Sequence, residues 1–446
     1  MGKELFGTDG IRGVAGQYPL DPETIFAFGA ALGKDAAAHT PQPEILIGAD
    51  TRASSRWIAE MVAGGLASHG AHVRSAGVIT TPGVAYLTRT GGFTAGVMIS
   101  ASHNPYEDNG LKVFGSSGFK LPDDEEHLIE QEIFQQRRHG VTPRQQALTV
   151  EEKLSREYLN FLIGISSVRL DGVRVAIDCG NGAAYQLAPE LFRALGADVV
   201  AICCEPTGSN INLHCGALHL EGLQETVVEY GAAFGAAFDG DADRAIFVSA
   251  SGKVVNGDAV LLAAGRALQA AGRLPANTVV STVMSNLGLE NAFKKAGIHM
   301  VRTPVGDKYV LEEMVRLGAA LGGEQSGHVI FREYSTTGDG MLTALRLFEI
   351  ARQAGVGLEE LTADLEIYPQ RLVNVRVREK KGLLEIPEVA AEIQRAETEL
   401  GDSGRVLVRF SGTEPLARVM VESSNAKHVE HFSASIADAI RKAVGV

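Results

Sequence analysis

Cysteine is scarce in this chain: four residues in 446, at Cys179, Cys203, Cys204 and Cys215, with no C-x-x-C spacing among them. A disulfide framework is not expected in a chain of this length, so buried or inert thiols are the natural reading. Long apolar runs are missing too. None approaches the ~20 residues that a membrane-spanning helix needs, and the opening "MGKELFGTDG" lacks the apolar core of a signal peptide. Gly2 starts an M-G-x-x-x pattern, but Phe6 stands where Ser or Thr would mark myristoylation. Positive charge is in deficit, 41 Lys and Arg against 54 Asp and Glu, for a net charge of −13. That balance disfavours nucleic-acid and anionic-membrane surfaces, so neither partner is expected. An anionic substrate would need a local cluster of Arg and Lys. No segment is of low complexity and no repeat is legible. These absences leave a cytoplasmic enzyme as the expectation.

Hydrophobic residues make up 45% and charged residues 21%, the composition of a well-packed globular protein. At this length roughly three or four domains of about 100–150 residues are expected. Strand-like runs alternate with amphipathic helical stretches. "EILIGAD" precedes the helical "SSRWIAEMVAGGLASHG" and the strand-like "AHVRSAGV" and "TAGVMIS". The rhythm returns in "VRVAIDCGNG", "AYQLAPELFRALG" and "ADVVAIC", and again in "NTVVSTVMSN", "LGLENAFKKAG" and "IHMVRTP". Such alternation predicts α/β domains with largely parallel sheets, whose ligand loops sit at the carboxyl ends of the strands. The polar "QQRRHGVTPRQQALTVEEK" reads as a first junction and "SASGKVVNGD" as a turn between the second and third units. "LEIYPQRLVNVRV" opens a final piece of α+β character.

Chemistry concentrates in a few stretches. In "MISASHNPYEDNGLKVF", residues 98–114, Ser102 and His103 sit on a turn-rich loop. Adjacent side chains diverge on an extended chain, so His103 is not expected to serve Ser102 as a base. A G-x-S-x-G elbow is absent, with Ser100 and Asn104 at its glycine positions. Lys112, further along, reads as part of the same loop system. In "FGAAFDGDADRAIFV", Asp239, Asp241 and Asp243 follow an apolar strand at alternate positions, which can turn three hard oxygen ligands one way, toward Mg²⁺. Without a cation the three would raise one another's pKa; a solvated acidic turn is the competing reading. An EF-hand fails, since Arg244 and Ala250 occupy its Gly and Glu positions. A phosphatase with Asp239 as nucleophile is weakened by Asp243, which stands where Thr or Val is wanted, and stays open.

"GGEQSGH" sets Glu324 and Ser326 between glycines, suited to sugar hydroxyls or to a plain glycine-rich turn. "RFSGTEPLAR" gathers Arg409, Ser411, Gly412, Thr413 and Arg418. Their guanidinium forks, hydroxyls and backbone N–H groups match a phosphate monoester, with a surface turn between solvated arginines as the alternative. "FGTDGIRG" adds a glycine-punctuated loop bearing Arg12, another candidate phosphate ligand or proton-transfer group.

In order along the chain, "FGTDGIRG", "SASHNP", "DGDADR", "GGEQSGH" and "RFSGTEP" resemble the signatures of the α-D-phosphohexomutase superfamily, from Phe6 to Arg418. The resemblance implies three similar α/β domains with mixed, mostly parallel sheets and a smaller C-terminal α+β domain closing over a central cleft. The corresponding spans are 1–152 with the phosphoserine loop, 153–253 with the Mg-binding loop, 254–367 with the sugar-binding loop and 368–446 with the phosphate loop. It implies Ser102 as a phosphoserine, and Asp239, Asp241 and Asp243, with Ser102, as ligands of one Mg²⁺ per subunit. Lys112, Arg12 and His103 would be catalytic. Arg244, Glu324, Ser326, His328, Arg409, Ser411, Gly412, Thr413 and Arg418 would bind substrate. The implied reaction moves a phosphoryl group between O6 and O1 of a sugar phosphate, primed by glucosamine or glucose 1,6-bisphosphate. Through Gln325 and the "FGTDGIRG" opening the resemblance implies glucosamine as the sugar, in amino-sugar metabolism feeding UDP-N-acetylglucosamine synthesis. A phosphomannomutase or phosphoglucomutase of the same superfamily is the nearest alternative, a metal-dependent sugar phosphatase a more distant one. Small sugar phosphates are the implied partners, and a homodimer is compatible with them.

Overall fold

The computed structural model describes residues 4–379, 382–410 and 415–446. The chain divides into two compact units, Met1–Met284 with Ile298–Ala363, and Ser285–Gly297 with Asp364–Val446. Among the described residues the first unit carries three α/β layers. Its first sheet contains β1 (Phe6–Gly7), β2 (Gly10–Val14), β3 (Glu44–Ala49), β4 (His72–Val78), β5 (Ala95–Ile99) and β6 (Asp108–Gly115), in the spatial order β1-β2-β6-β5-β3-β4. β5, β3 and β4 are parallel, while β6, β2 and β1 add antiparallel strands on one side. β5 is buried along its whole length, which is why "AGVMI" reads as an unbroken apolar run rather than an alternation.

Helix Pro22–His39 starts where Asp21 accepts from Thr24 N and Pro22 presets the first turn. It packs tightly on helix Ser55–Ala67 because both contribute glycine. A Cβ on Gly65 would lie 2.3 Å from Phe26 O, so the backbones touch where a side chain would not fit.

The second sheet holds β7 (Arg174–Asp178), β8 (Asp198–Ile202), β9 (Phe234–Phe238), β10 (Ala245–Ser249) and β11 (Val254–Val255), ordered β11-β10-β9-β7-β8. The turn in "SASGKVVNGD" joins β10 to β11, both strands of this sheet. The third sheet holds β12 (Thr278–Thr282), β13 (His299–Thr303), β14 (Leu321–Gly323) and β15 (Val329–Phe331), ordered β13-β12-β14-β15. All three sheets share one plan, a parallel centre with antiparallel strands on one side.

The second unit is built on β16 (Gln370–Arg376), β17 (Gly404–Phe410) and β18 (Leu416–Ser423), antiparallel in the order β16-β18-β17. Helices Pro387–Leu400 and Ala426–Val444 close its own apolar core through Val389, Ile393, Phe432 and Ile436. Helix Leu287–Lys295 follows β12 in sequence, yet it belongs to this unit. Leu287 N donates to Glu422 Oε1 at 3.1 Å and Asn286 Nδ2 to Tyr368 O at 3.0 Å. No described helix is long and apolar enough to cross a membrane.

Candidate active site

Ser102 lies just past the carboxyl end of β5, where the chain turns toward β6. Its backbone is left-handed, φ 53°, and this brings Ser102 Oγ to 3.2 Å from His103 Nδ1. The expectation of diverging neighbours is therefore overturned, because it assumed an extended chain. The loop is held from behind. Asp50, after β3, accepts from Ser100 Oγ at 2.6 Å and Ser55 Oγ at 2.8 Å, and pairs with the Arg52 guanidinium. Arg52 Nη2 donates to Ser102 O at 3.0 Å and Asn104 O at 2.6 Å, and Asn212 Nδ2 donates to the same oxygens at 2.9 and 3.2 Å. The backbone is thus fixed while the Ser102 hydroxyl is left for chemistry.

Opposite it, the segment between β9 and β10 gathers Asp239, Asp241 and Asp243, all buried, with carboxylate oxygens within 4.8 Å of one another. The cause is not alternation along an extended strand. The segment turns, with Ala242 at φ 55° and the carbonyls of Asp241 and Ala242 taken by Thr81 N and Gly340 N. Ser102 Oγ donates to Asp239 Oδ2 at 2.6 Å. Lys112, expected on the loop, stands instead on β6 opposite Met98 of β5. It is 1% exposed. Its Nζ lies 2.8 Å from Asp241 Oδ2, 3.0 Å from Asp9 Oδ2 and 3.4 Å from Asp243 Oδ2. Arg12 on β2 pairs with Asp9. Arg244 N donates to Asp239 Oδ1 at 3.1 Å, and Arg244 Nη1 lies 3.3 Å from His103 Nδ1.

Burial pushes the Asp239 carboxyl well above its usual range, and the Asp243 and Asp241 charges add to the push. Burial also opposes the Lys112 charge, but the carboxylates of Asp241, Asp9 and Asp243 outweigh it and hold the ammonium well above its ordinary pKa. His103 falls to about 4, first through burial and then through the Arg244 and Arg12 charges, so its imidazole is neutral near pH 7. Lys112 does not complete the acidic set. Asp241 Oδ1 and Asp243 Oδ1 are buried without a hydrogen-bond partner among the described residues, Asp243 Oδ1 having Arg244 Nε 3.8 Å away, a costly state for carboxylate oxygens that a closer cation would relieve. Three buried carboxylates this close together offer the hard oxygen donors of a candidate metal site.

Arg244, Glu324, Gln325 and Ser326 line a neighbouring cavity of about 530 Å³. Glu324 Oε1 accepts from Gly306 N at 3.2 Å, and Ser326 Oγ donates to Glu324 Oε2 at 3.3 Å. His328 is buried beneath this turn; its Nε2 accepts from Gly338 N at 3.2 Å and lies 3.7 Å from Asp307 Oδ2. Lys120 bridges Asp307 and Asp9, so charged groups run unbroken from the "GGEQSGH" turn to Lys112. In the second unit Arg409 and Arg418 face each other across the β17–β18 pairing. Burial, and then the Arg418 charge, lower the Arg409 pKa. Ser411, Gly412 and Thr413 lie outside the described residues.

Four family profiles match in order. They are described as phosphoglucomutase/phosphomannomutase alpha/beta/alpha domain I over residues 3–139, domain II over 156–252, domain III over 256–368 and the C-terminal domain over 372–439. A phosphoglucosamine mutase of Solibacter usitatus (strain Ellin6076) is 80% identical over 445 residues, covering 100% of both chains. The chain belongs to the phosphoglucosamine mutase family. Another phosphoglucosamine mutase, of Koribacter versatilis (strain Ellin345), is 51% identical over 100% of this chain and 98% of its own. The fold is shared with the crystal structure of a phosphoglucomutase/phosphomannomutase family protein from Burkholderia thailandensis, at a TM-score of 0.82 and 22% identity over 99% of both chains. It is shared too with Aspergillus fumigatus N-acetylphosphoglucosamine mutase, solved in complex with GlcNAc-6P and magnesium, at a TM-score of 0.65 and 18% identity over 100% of this chain and 96% of that one.

Within this sequence, the motifs missed the residues that hold the site together. Asp50 and Arg52 stand at the carboxyl end of β3, where an α/β sheet places its ligand loops, so position alone could have flagged them. Asp9 sits inside "FGTDGIRG", three residues before Arg12. Asn212 had no local signal.

Proposed function

We propose that the chain interconverts glucosamine 6-phosphate and glucosamine 1-phosphate, with Ser102 as the phosphoryl carrier. The observation that carries this reading is the 2.6 Å hydrogen bond from Ser102 Oγ to Asp239, inside a buried acidic triad with orphaned oxygens. Phosphorylated, Ser102 would hold about −1.5 to −2 charges beside that triad. When bound by Asp239, Asp241, Asp243 and a phosphoserine oxygen, Mg²⁺ would offset the charge that develops during transfer. Lys112, kept as an ammonium, brings positive charge to the transferring group. Neutral His103, 3.2 Å from Ser102 Oγ, is the group that takes or returns a proton there. Arg12 and Arg244 flank the transferring phosphate. Glu324 and Ser326 take the sugar hydroxyls, with Gln325 beside them and His328 supporting the turn. Arg409, Ser411, Gly412, Thr413 and Arg418 hold the phosphate that is not reacting.

Phosphoserine gives its phosphoryl group to O1 of the 6-phosphate. The resulting 1,6-bisphosphate turns end over end and returns its 6-phosphate to Ser102. Glucosamine or glucose 1,6-bisphosphate restores a phosphoserine lost to water. A cytoplasmic setting belongs to the same proposal. The test is a coupled assay on glucosamine 6-phosphate with the bisphosphate primer, beside a mass spectrum showing about 80 Da added within residues 98–114. Inorganic phosphate as the product, or a label on Asp239 and none on Ser102, would replace the mutase by a phosphatase.

A further inference from the structure

Two thiols that this reaction does not use meet near the Ser102 loop. The sulfur atoms of Cys203 and Cys215 and an oxygen of Asp178 lie within 4.8 Å of one another. Cys203 is partly exposed and Cys215 is buried. The hydrogen bond between the two thiols draws the Cys203 pKa down and pushes that of Cys215 up, so the reachable sulfur is the better nucleophile. Asp178 is already employed: its oxygens accept from Gly180 N at 2.8 Å and Gly216 N at 2.9 Å. The chain between the cysteines has no helix or strand, and Leu213 and His214 in it are exposed. Left-handed backbone recurs in it, at Cys203, Gly208, Asn212 and His214. Asn212 is the residue that donates to both Ser102 O and Asn104 O. Slack is absent at that contact, since a Cβ on Gly240 would come 2.4 Å from Ser102 O and 3.0 Å from Asn212 Nδ2.

We propose that Cys203 and Cys215 are an oxidation site, a thiol pair that a hydroperoxide converts to a disulfide and that thereby shifts Asn212 on the Ser102 loop. The Cys203 thiolate attacks the peroxide oxygen; the O–O bond breaks, an alcohol or water leaves, and Cys203 becomes a sulfenic acid. Cys215 sulfur then attacks Cys203 sulfur, the S–O bond breaks and water departs with the Cys215 proton. The two thiols lose two electrons and two protons, and the peroxide is reduced by the same two electrons. A disulfide brings its sulfurs to about 2 Å, so closure pulls on both ends of the loop that carries Asn212. Arg52 keeps its own hold on the two carbonyls, so the Ser102 turn is displaced rather than lost.

The experiment uses the full chain, reduced and then treated with one equivalent of hydrogen peroxide, alkylated, and digested with chymotrypsin, which also cuts after leucine. Cleavage at the exposed Leu213 separates Cys203 and Cys204 from Cys215. The two fragments are expected to stay joined, about 2 Da lighter than the sum of their thiol forms. The link should persist in Cys204→Ser and vanish in Cys215→Ser. Turnover of glucosamine 6-phosphate should fall at least about threefold on oxidation, since a misplacement of about 1 Å can cost up to 10²-fold. Dithiothreitol should restore it, and Cys215→Ser should match the reduced parent throughout. Fragments that separate, a link through Cys204 or Cys179, a linked chain with unchanged turnover, or stoichiometric zinc held by the two sulfurs would each overturn the proposal. The link is read by mass, so its outcome is independent of the mutase reading.

Discussion

A single torsion decides what Ser102 can reach. At φ 53° its hydroxyl meets His103 and Asp239, two residues that an extended loop would have kept apart. Ser102→Ala keeps the loop's backbone bonds and removes only the proposed carrier hydroxyl, so turnover should fall by on the order of 10³-fold or more, while calorimetry should find sugar-phosphate binding little changed. Full activity in a clean preparation would end the carrier role. Asp241→Asn exchanges a charged ligand for a neutral one, and Mg²⁺ affinity should drop by about 10- to 100-fold. Titration of the metal by calorimetry reads this without an activity assay, and a parent-like isotherm would remove Asp241 from the metal site. At this scale the sequence was informative where chemistry repeats over a few neighbouring positions, as in "DGDADR". It was silent on Asn212 and Asp307, which meet Ser102 and Lys120 from more than a hundred residues away. Lys112 was legible as a residue but not as a place: only in three dimensions does its buried charge meet three carboxylates.

Elements were legible where burial forces an apolar run. β3, β5, β7 and β12 are covered strands, and their hydrophobic stretches stand out. Lys112 on β6 did not fit that pattern, so a buried strand read as a loop. Helix Gly340–Ala354 starts at Asp339, which accepts from Leu342 N at 2.9 Å and from the Tyr158 hydroxyl at 2.8 Å. Burial raises the Asp339 pKa to about 6 even though both of these bonds favour the charged form. The folded chain therefore holds that proton more tightly than the unfolded one, and stability is lost as pH rises from about 4 to about 6. Asp339→Asn keeps the capping oxygen and removes the titration. The parent should lose about 2–3 kcal/mol relative to the variant across that window, measured by urea unfolding at each end. Parallel curves would show that Asp339 does not titrate there. Helix Pro22–His39 offers a second test. In Gly65→Ala the new methyl would meet Phe26 O at 2.3 Å and Ala30 N at 2.7 Å, backbone atoms that cannot swing aside. The expected cost is about 1–3 kcal/mol, seen as a lower urea midpoint at unchanged slope.

For the whole molecule, the motifs follow the layers in order: "FGTDGIRG" and "SASHNP" share the first α/β layer, "DGDADR" and "GGEQSGH" take the second and third, and Arg409 lies on the C-terminal sheet. The rhythm could not reveal that the third layer lends a helix to the C-terminal unit, since neighbours in sequence look the same whichever core they join. Arg409 and Arg418, paired across β17 and β18, are the proposed grip on the phosphate that is not reacting, whichever end of the sugar carries it. Arg418→Ala should weaken glucosamine 6-phosphate and glucosamine 1-phosphate alike, by about tenfold or more. Arg418→Lys should recover only part of that, since the planar fork is lost. Direct binding of each monophosphate checks the pair, and a loss confined to one of them would break the shared-grip idea.

The chain passes between its two units three times, after Met284, after Gly297 and after Ala363. A fragment ended at residue 367 would keep helix Leu287–Lys295 and forfeit Tyr368, Arg405 and Glu422, which hold its first turn. A fragment begun at residue 368 would keep the sheet and core of that unit but lack helix Leu287–Lys295, leaving the groups of Tyr368, Arg405 and Glu422 that hold it unmet. Splitting the gene at its last apparent seam thus leaves neither half whole, and recombination there would rarely yield a working graft.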